Sequence, residues 1–445
     1  MELHVTKSER WITPLLVISL FITQLDSGII STNLSSMARE LMLAPAEKSW
    51  IVSIYTLGLL FATPIMGSLI DRFGYRMVFL TELVLYFLGV LGIAFSQTFQ
   101  MLLVFRALQA FGSSSLLTLT LSMVFANTEK KIGGKVGNIG SLVALSTIVA
   151  PLVSVLSLIK THNWRSIYFV MAVLIAIIFL LAFFIVPKVT NSEVKSFDIK
   201  GNSLFVLSLL TFNLLLTRGF SRGHTVELMV YAIILILSSI LLVKIETSRE
   251  NEELTVLFSR RLWQIPTYRA SLFGGITTGL VMSLFAFLPS FMEMTFHFDA
   301  RKAGSLMTIM AIGTFIGSKV AGIWTDKKGA NHATKGTMML VFISLITMYF
   351  SVVSFKTFLF ALLFFGLSIG ALMTVPLQVL VVEASPKDRN ASLSLLSVVK
   401  KLGMTIGITI IGVLAHATNS LGFSQMLIGL MIVTLIFIFY MRKKA

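Results

Sequence analysis

The chain has 445 residues, of which 56% are hydrophobic and only 13% charged, and its formal net charge is +16. Typical soluble domains carry about twice that charged fraction, so an ordinary soluble globular protein is excluded. Cysteine is absent, which excludes disulfides, thiolate metal sites and cysteine catalysis. The basic residues lie in short segments between apolar runs and form no basic domain, so the net charge does not indicate nucleic-acid binding.

Apolar runs of membrane length recur along the whole chain. Each is long enough for a helix to cross roughly 30 Å of hydrocarbon, and too long and continuous for the strands of a membrane barrel. Lys7 and Trp11 lead directly into the first run without the pattern of a cleavable signal peptide. We predict an all-α integral membrane protein whose fourteen spans are 12–34, 49–70, 77–96, 100–126, 133–158, 165–186, 201–217, 226–244, 267–292, 302–325, 335–354, 357–383, 390–416 and 421–441.

Lys and Arg are distributed unevenly between the predicted spans. With the N-terminus inside, the inner segments contain more than twice as many of these residues as the outer loops. This positive-inside bias favours fourteen spans, both termini in the cytoplasm and a multi-pass protein of the cell membrane.

Two ten-residue stretches, GSLIDRFGYR from Gly67 and GIWTDKKGAN from Gly322, share one pattern. Each has a glycine four residues before an acid, a base after the acid, and a glycine three residues past it. Internal duplication of helix bundles is typical of secondary transporters. We therefore predict a six-helix bundle over 1–187, two inserted spans with their linkers over 188–265, and a second six-helix bundle over 266–445.

At these residues the chain resembles the major facilitator superfamily, and more narrowly its fourteen-helix drug:proton antiporters, the branch of QacA and SdrM. The stretch 67–76 fits the superfamily's loop motif between helices 2 and 3. Leu25-Asp26 fits the first-helix signature of this branch, and the run from Arg106 through Gln109 to Gly112 fits its fourth-helix motif. The resemblance implies the major facilitator fold and proton-coupled export by alternating access.

The fifth span departs from the pattern of that branch. Pro151 keeps the proline of the family's antiporter motif, but the surrounding glycine positions hold Ser146, Ala150, Ser154 and Val155. Glycines let helices approach closely and bend. We therefore expect a hinge in this span that differs from the family's.

Asp26 and Arg106 are the predicted proton-coupling residues. Both lie about 10 Å below the outer surface at 1.5 Å of rise per residue, so the two charges are level. Burial raises the pKa of a carboxyl group whereas a neighbouring Arg lowers it, and a proton site can use that competition. A permanent ion pair that only holds helices together is the alternative. The resemblance gives Arg106 a proton-relay role.

The repeated motif predicts a conformational latch at the cytoplasmic edge. Its glycines permit a tight turn, and its acid can cap a neighbouring helix N-terminus, where the dipole favours negative charge. The resemblance implies that this latch stabilises the outward-open state. The latch residues are Gly67, Asp71, Arg72, Gly74, Arg76, Asp326 and Lys327.

A second group of residues has a predicted role in the cavity or in gating. Lys319 and Lys400 lie roughly 10 Å and 15 Å into their spans. If they face a cavity they favour an anionic or zwitterionic substrate, whereas a structural or gating role is equally compatible with the pattern. Glu293 could line an outer exit, although for it, Glu82 and Glu383 a solvated helix end is the leading interpretation. Gln109 and Pro151 complete the set.

These patterns favour a secondary exporter of small amphipathic compounds driven by the proton gradient, in a bacterial membrane. The alternative is export or flipping of a lipid, a metabolite or an anionic compound. An enzyme is disfavoured because the six His residues are scattered and no phosphate-binding Gly-Lys-Ser/Thr loop is present. A channel would not need two matched motifs. We expect protons, substrates and membrane lipid as partners, no cofactor, metal or nucleic acid, and a monomer.

Overall fold

The computed structural model describes residues 11–43, 45–128, 130–187, 199–218, 225–248, 260–351, 354–386, 388–417 and 420–443. Apart from turns, the elements described there are all helical, so the predicted all-α class is confirmed for them. The helices are α1 Ile12–Glu40, α2 Pro45–Phe95, α3 Phe99–Phe111, α4 Leu116–Ala126, α5 Ile132–Thr161, α6 Ser166–Ile185, α7 Ile199–Arg218, α8 Thr225–Ser248, α9 Arg260–Gln264, α10 Pro266–Met282, α11 Leu288–Phe296, α12 Ala300–Lys328, α13 Ala330–Phe350, α14 Phe355–Thr374, α15 Pro376–Ala384, α16 Arg389–Ala417 and α17 Ser420–Lys443.

Twelve stretches of helix in the described residues are long and apolar enough to cross a membrane, so the predicted count of fourteen is not supported. The two predicted spans outside this set are 201–217 and 267–292. The first is α7, which buries polar Asn202 and Asn213. The second is divided: α10 has 17 residues and ends at a 3-10 turn, beyond which α11 has nine.

Contacts divide the chain into two compact units. The first consists of Met1–Asn127 with Leu145–Phe197, and the second of Thr128–Ala144 with Asp198–Ala445. The long helix α5 therefore contributes its first part to the second unit and its remainder to the first. The three-part division predicted at 187 and 265 stays a prediction.

The internal repeat is visible in the backbone. Gly74, which divides α2 into two spans, has φ 79° and ψ 161°. Gly329, at the same place in the second motif copy, has φ 82° and ψ 158° and separates α12 from α13. This region of φ/ψ space is essentially restricted to glycine. The two motif copies therefore make the same turn.

The second and fourth spans of each half cross at small residues. In the first unit a Cβ added at Gly58 would lie 2.6 Å from the Cβ of Ala110. In the second unit the backbone of Gly313 lies directly against Leu363 and Gly366. Without a hydrophobic force between helices in lipid, close backbone approach at such residues supplies much of the packing energy. The same crossing thus recurs in both halves.

Gly329→Ala should lower the thermal unfolding midpoint of the purified protein, because alanine at this φ/ψ costs on the order of 1–3 kcal/mol. Nothing lies within 4 Å of an added Cβ at Gly329, so the cost is one of backbone strain alone. Gly304→Ala is the matched control, since Gly304 also has open space but lies within helix α12.

The control should be neutral or stabilising, because alanine in an exposed helix is preferred over glycine by about 1 kcal/mol. Tryptophan fluorescence during heating measures both variants. Equal midpoints for Gly329→Ala and Gly304→Ala would contradict the assigned turn.

Candidate functional site

The first unit holds a buried ion pair between α1 and α3. The Arg106 Nη1 atom donates to Asp26 Oδ2 at 2.7 Å, and both side chains are 1% exposed. Removing a single charge of such a pair leaves the other uncompensated in a medium that cannot solvate it. The structure therefore brings together the two residues predicted from their equal depth.

Gln109 closes the pair into a three-residue network. Its Nε2 donates to Asp26 Oδ1 at 2.9 Å, and its Oε1 accepts from Arg106 Nη1 at 2.7 Å. Residues three apart on a helix are neighbours on one face, so the turn from Arg106 to Gln109 presents both groups to α1. Arg106 Nε also donates to the Ile51 carbonyl oxygen at 3.3 Å. Each oxygen of the Asp26 carboxylate thus accepts one hydrogen bond.

Aromatic residues that the sequence analysis did not single out adjoin this network. The Arg106 guanidinium carbon lies 4.4 Å from the ring centre of Tyr55, an arrangement that stabilises a cation. The Tyr55 hydroxyl is 3.0 Å from Ser113 Oγ. Tyr86 and Tyr168 are fully buried in the same unit. The sequence feature that could have identified these residues was a tyrosine inside a largely apolar predicted span.

A glycine on α1, Gly28, lies against the part of the fifth span where the family's glycines are missing. A Cβ added at Gly28 would lie 2.6 Å from the Ala150 Cβ and 3.0 Å from Pro151 Cδ. One turn further on, Asn33 Nδ2 donates to Ser154 Oγ at 2.7 Å, and both side chains are buried. The close approach that the family pattern places on helix 5 is provided here by Gly28, two residues from Asp26.

The predicted latch residues of the first motif copy make contacts within the first unit. Arg76 donates to the Phe183 carbonyl oxygen at 2.8 Å and also to the carbonyl of Val186, at the end of α6. Arg72 lies with its guanidinium carbon 5.0 Å from the Phe73 ring centre. Gly67 is buried and Gly74 makes the turn, whereas the side chain of Asp71 lies outside the described residues.

The second motif copy caps the N-terminal end of α5, within the second unit. Asp326 Oδ1 accepts from the Gly133 backbone N–H at 2.7 Å, and Oδ2 accepts from Gly134 N–H at 2.8 Å. A carboxylate at a helix N-terminus satisfies unpaired N–H groups and is favoured by the dipole. The predicted capping geometry is therefore present at Asp326, while Lys327 is exposed.

The other predicted residues lie in the second unit and are not part of the Asp26 network. Lys319 on α12 is exposed, with its Nζ 5.1 Å from the Phe315 ring centre. Lys400 is half-buried on α16, where its carbonyl oxygen meets Gly279 of α10. Glu293 is half-buried on α11. Within the described residues, no group of three or more His, Asp or Glu could hold a metal ion.

Glu82 and Glu383 differ in solvent exposure, although both were expected at solvated helix ends. Glu383 is exposed, in agreement with that expectation. Glu82 is 0% exposed, so the interpretation was wrong for this residue. The short distance of Glu82 from the predicted span end suggested that water reaches it. The second part of α2 packs against the fourth span, however, and this packing buries the Glu82 side chain.

A further cluster joins the C-terminal end of α1 to the start of α6 in the first unit. Glu40, beyond the apolar part of α1, forms an ion pair with Arg165 and accepts from Trp164 Nε1 at 2.5 Å. Arg165 also donates to the Ser96 carbonyl oxygen at 2.6 Å. Partial burial would raise the pKa of Glu40, but the hydrogen bonds from Arg165 and Trp164 outweigh it and hold that pKa below its usual value.

The sequence profile of the Major Facilitator Superfamily matches residues 16–407, and a second match covers 270–445. The chain belongs to the major facilitator superfamily. It is 29% identical over 412 residues to YfiU of Bacillus subtilis (strain 168), an MFS-type transporter, covering 91% of this chain and 79% of that one. It is 23% identical over 415 residues to Multidrug resistance protein 3 of the same organism, with the same coverage.

Other relatives and solved structures agree with this assignment. A putative multidrug resistance protein MdtD from Pectobacterium atrosepticum is 26% identical, over 92% of this chain and 87% of that one. The human organic anion transporter MFSD10 superposes with a TM-score of 0.66 at 15% identity, covering 97% of this chain and 99% of that one. The proton:xylose symporter XylE superposes with a TM-score of 0.65 at 14% identity, covering 98% and 95%. These structures share the fold, and the narrower fourteen-helix branch stays a prediction.

Asp326→Asn should speed hydrogen exchange at the start of α5 by about twofold to fivefold, because it removes the charge that the helix dipole favours. Mass spectrometry of peptides covering residues 132–138 measures this. Lys327→Gln is the control, since Lys327 is the adjacent, exposed charged residue. Unchanged exchange in Asp326→Asn, or an equal change in the control, would contradict the capping role.

Proposed function

We propose that the chain exports amphipathic drugs and other toxic organic compounds in exchange for protons, by alternating access in a bacterial cell membrane. Membership of a transporter superfamily and the similarity to two relatives named as multidrug resistance proteins support the substrate class. The single observation that carries the proton coupling is the buried Asp26–Arg106–Gln109 network.

Asp26 is the proposed proton carrier. In the described geometry its carboxylate accepts hydrogen bonds from Arg106 and Gln109. Protonation removes the charge that holds Arg106, and the guanidinium is then a buried cation that must find another partner. Loading a proton on Asp26 therefore changes the preferred position of the fourth span relative to α1, which is what coupling requires.

The motif loops are proposed to bias the conformational equilibrium and not to bind substrate. Asp326 supports this because its carboxylate holds two backbone N–H groups at the start of α5. A change in conformation that separates α12 from α5 must break these charge-assisted bonds, which are roughly twice as strong as neutral ones.

A lipid, a metabolite or an anionic compound is the second candidate substrate. Lys319 favours it, because this exposed ammonium group lies in the apolar helix α12 at the ring face of Phe315. A charge in such a place is a functional candidate by default. Competition between anionic and cationic compounds in the flux assay below separates the two candidates.

Wild-type protein in vesicles with an imposed pH gradient should release protons when ethidium or norfloxacin is added, and Asp26→Asn should abolish that release. The amide keeps the shape of the side chain but cannot carry the proton. Glu383→Gln is the matched control, because it neutralises an exposed carboxyl group and should keep the flux. Drug-dependent flux that persists in Asp26→Asn would reject the assigned carrier, and no flux with either drug in wild type would reject drug:proton antiport.

We further propose that α7, and α10 together with α11, also cross the membrane, giving fourteen crossings with both termini in the cytoplasm. The cysteine-free chain suits single-cysteine labelling in intact cells. A membrane-impermeant maleimide should label Ser221→Cys and Met294→Cys, but Ser192→Cys and Trp263→Cys only after permeabilisation. Ser354→Cys, exposed at the predicted outer end of the span 335–354 and directly before α14, is the positive control. Equal labelling of the two cysteines on either side of α7, or of the two on either side of α10 and α11, would contradict the proposed crossing.

A further inference from the structure

The fourth span of the first unit is interrupted without a proline. Helix α3 ends at Phe111 and α4 begins at Leu116, with Gly112, Ser113, Ser114 and Ser115 between them. Such an interruption frees backbone N–H and carbonyl groups that lipid cannot satisfy. These groups must therefore find partners within the protein.

Glu82 provides the main partner for this interruption. Its Oε1 accepts from the Ser115 backbone N–H at 2.7 Å and from Ser114 Oγ at 3.2 Å. Thr63 Oγ1 donates to the Ser114 carbonyl oxygen at 3.2 Å. Side chains from both parts of α2 thus hold the break between α3 and α4.

The second part of α2 and the fourth span approach each other closely at this interruption. A Cβ added at Gly112 would lie 2.6 Å from the Glu82 carbonyl oxygen and closer still to the Tyr86 nitrogen. Glu82 is 0% exposed. Glu82 therefore binds the interruption at a point where the backbones of α2 and the fourth span are in close contact.

The charge on Glu82 determines how firmly it holds α4. An anion at a helix N-terminus is favoured by the dipole, and its hydrogen bonds are stronger than those of a neutral acceptor. A proton on Glu82 removes both effects, while it also removes the cost of burying a charge. The two protonation states therefore favour different geometries of the interruption.

The interruption lies next to the ion-pair network. Gln109 is three residues before Gly112, and Ser113 Oγ donates to the backbone of the same turn while also meeting the Tyr55 hydroxyl. Among the described residues, the titratable and charged groups around the interruption are Tyr55 and Tyr86, both on α2 as Glu82 is, and the Asp26–Arg106 pair beyond Gln109. Movement at Gly112 is thus transmitted directly to the residues that bind Asp26.

We propose that Glu82 is a second protonation site of the first unit, which holds the interruption of the fourth span when ionised and releases it when protonated. It is a positioning residue, acting on Asp26 through Gln109 and Arg106. Its role in transport rests on the proposed function, whereas its protonation-dependent hold on α4 does not.

Hydrogen exchange of the substrate-free protein tests the inference. After correction for the intrinsic exchange rate, protection of residues 113–119 should fall by a factor of about 5–30 between about pH 8 and about pH 5. Glu82→Gln should show low protection that no longer depends on pH, because its amide oxygen can accept the same hydrogen bonds without a charge. Asp26→Asn should keep the wild-type pH response.

Thr63→Ala is the structural control, since it removes the neutral hydrogen bond to the Ser114 carbonyl oxygen and leaves the Glu82 carboxylate, so its pH response should remain. If Glu82→Gln does not fold, Glu82→Asp replaces it. Its hydrogen-exchange protection should still depend on pH, with the midpoint of that dependence displaced from the wild-type value. A wild-type response that is absent, that persists in Glu82→Gln, or that disappears in Asp26→Asn would overturn the inference.

The pH profile of drug-dependent flux provides the link to transport. Glu82→Gln should displace this profile relative to wild type, whereas Thr63→Ala should leave it in place, and an unchanged profile in Glu82→Gln would overturn the positioning role. Absent flux in wild type, combined with the expected exchange response, would reject the proposed function while supporting the protonation site.

Discussion

The positions of α1 and the fourth span depend on the need to neutralise two charges that have been removed from water. Asp26 and Arg106 are each 1% exposed, and an unpaired ion at such a site costs several kcal/mol. Gln109 and the Ile51 carbonyl complete their hydrogen bonds, and the Tyr55 ring covers the guanidinium. Helices that contribute to this network cannot shift independently while both groups are ionised.

Around this network, the first unit combines close backbone contact with local breaks in helical structure. Gly28 brings α1 against the fifth span, and Gly112 brings the second part of α2 against the fourth. Three serines then interrupt the fourth span beside Glu82. In the second unit the corresponding span is also divided, between α14 and α15 at Val375. Interrupted helices in lipid are tolerated only where protein groups take over their hydrogen bonds.

The features that follow from local patterns could be predicted from the sequence. Equal depth along two spans predicted the Asp26–Arg106 pair, and the repeated motif predicted the matched turns at Gly74 and Gly329. The division of α10 from α11 could not be predicted, because hydropathy averages over a 3-10 turn. Burial of Glu82 was missed because it depends on which face of one helix meets an interruption in another.

Arg76 links the second part of α2, just after the turn at Gly74, to the end of α6. Its guanidinium binds carbonyl groups of Phe183 and Val186, the last turn of the helix and the residue beyond it. These carbonyls have no further helical turn to pair with, so separating them from Arg76 would leave them unsatisfied. A force applied at the Gly74 turn is therefore passed through Arg76 to the point where the chain leaves the sixth span.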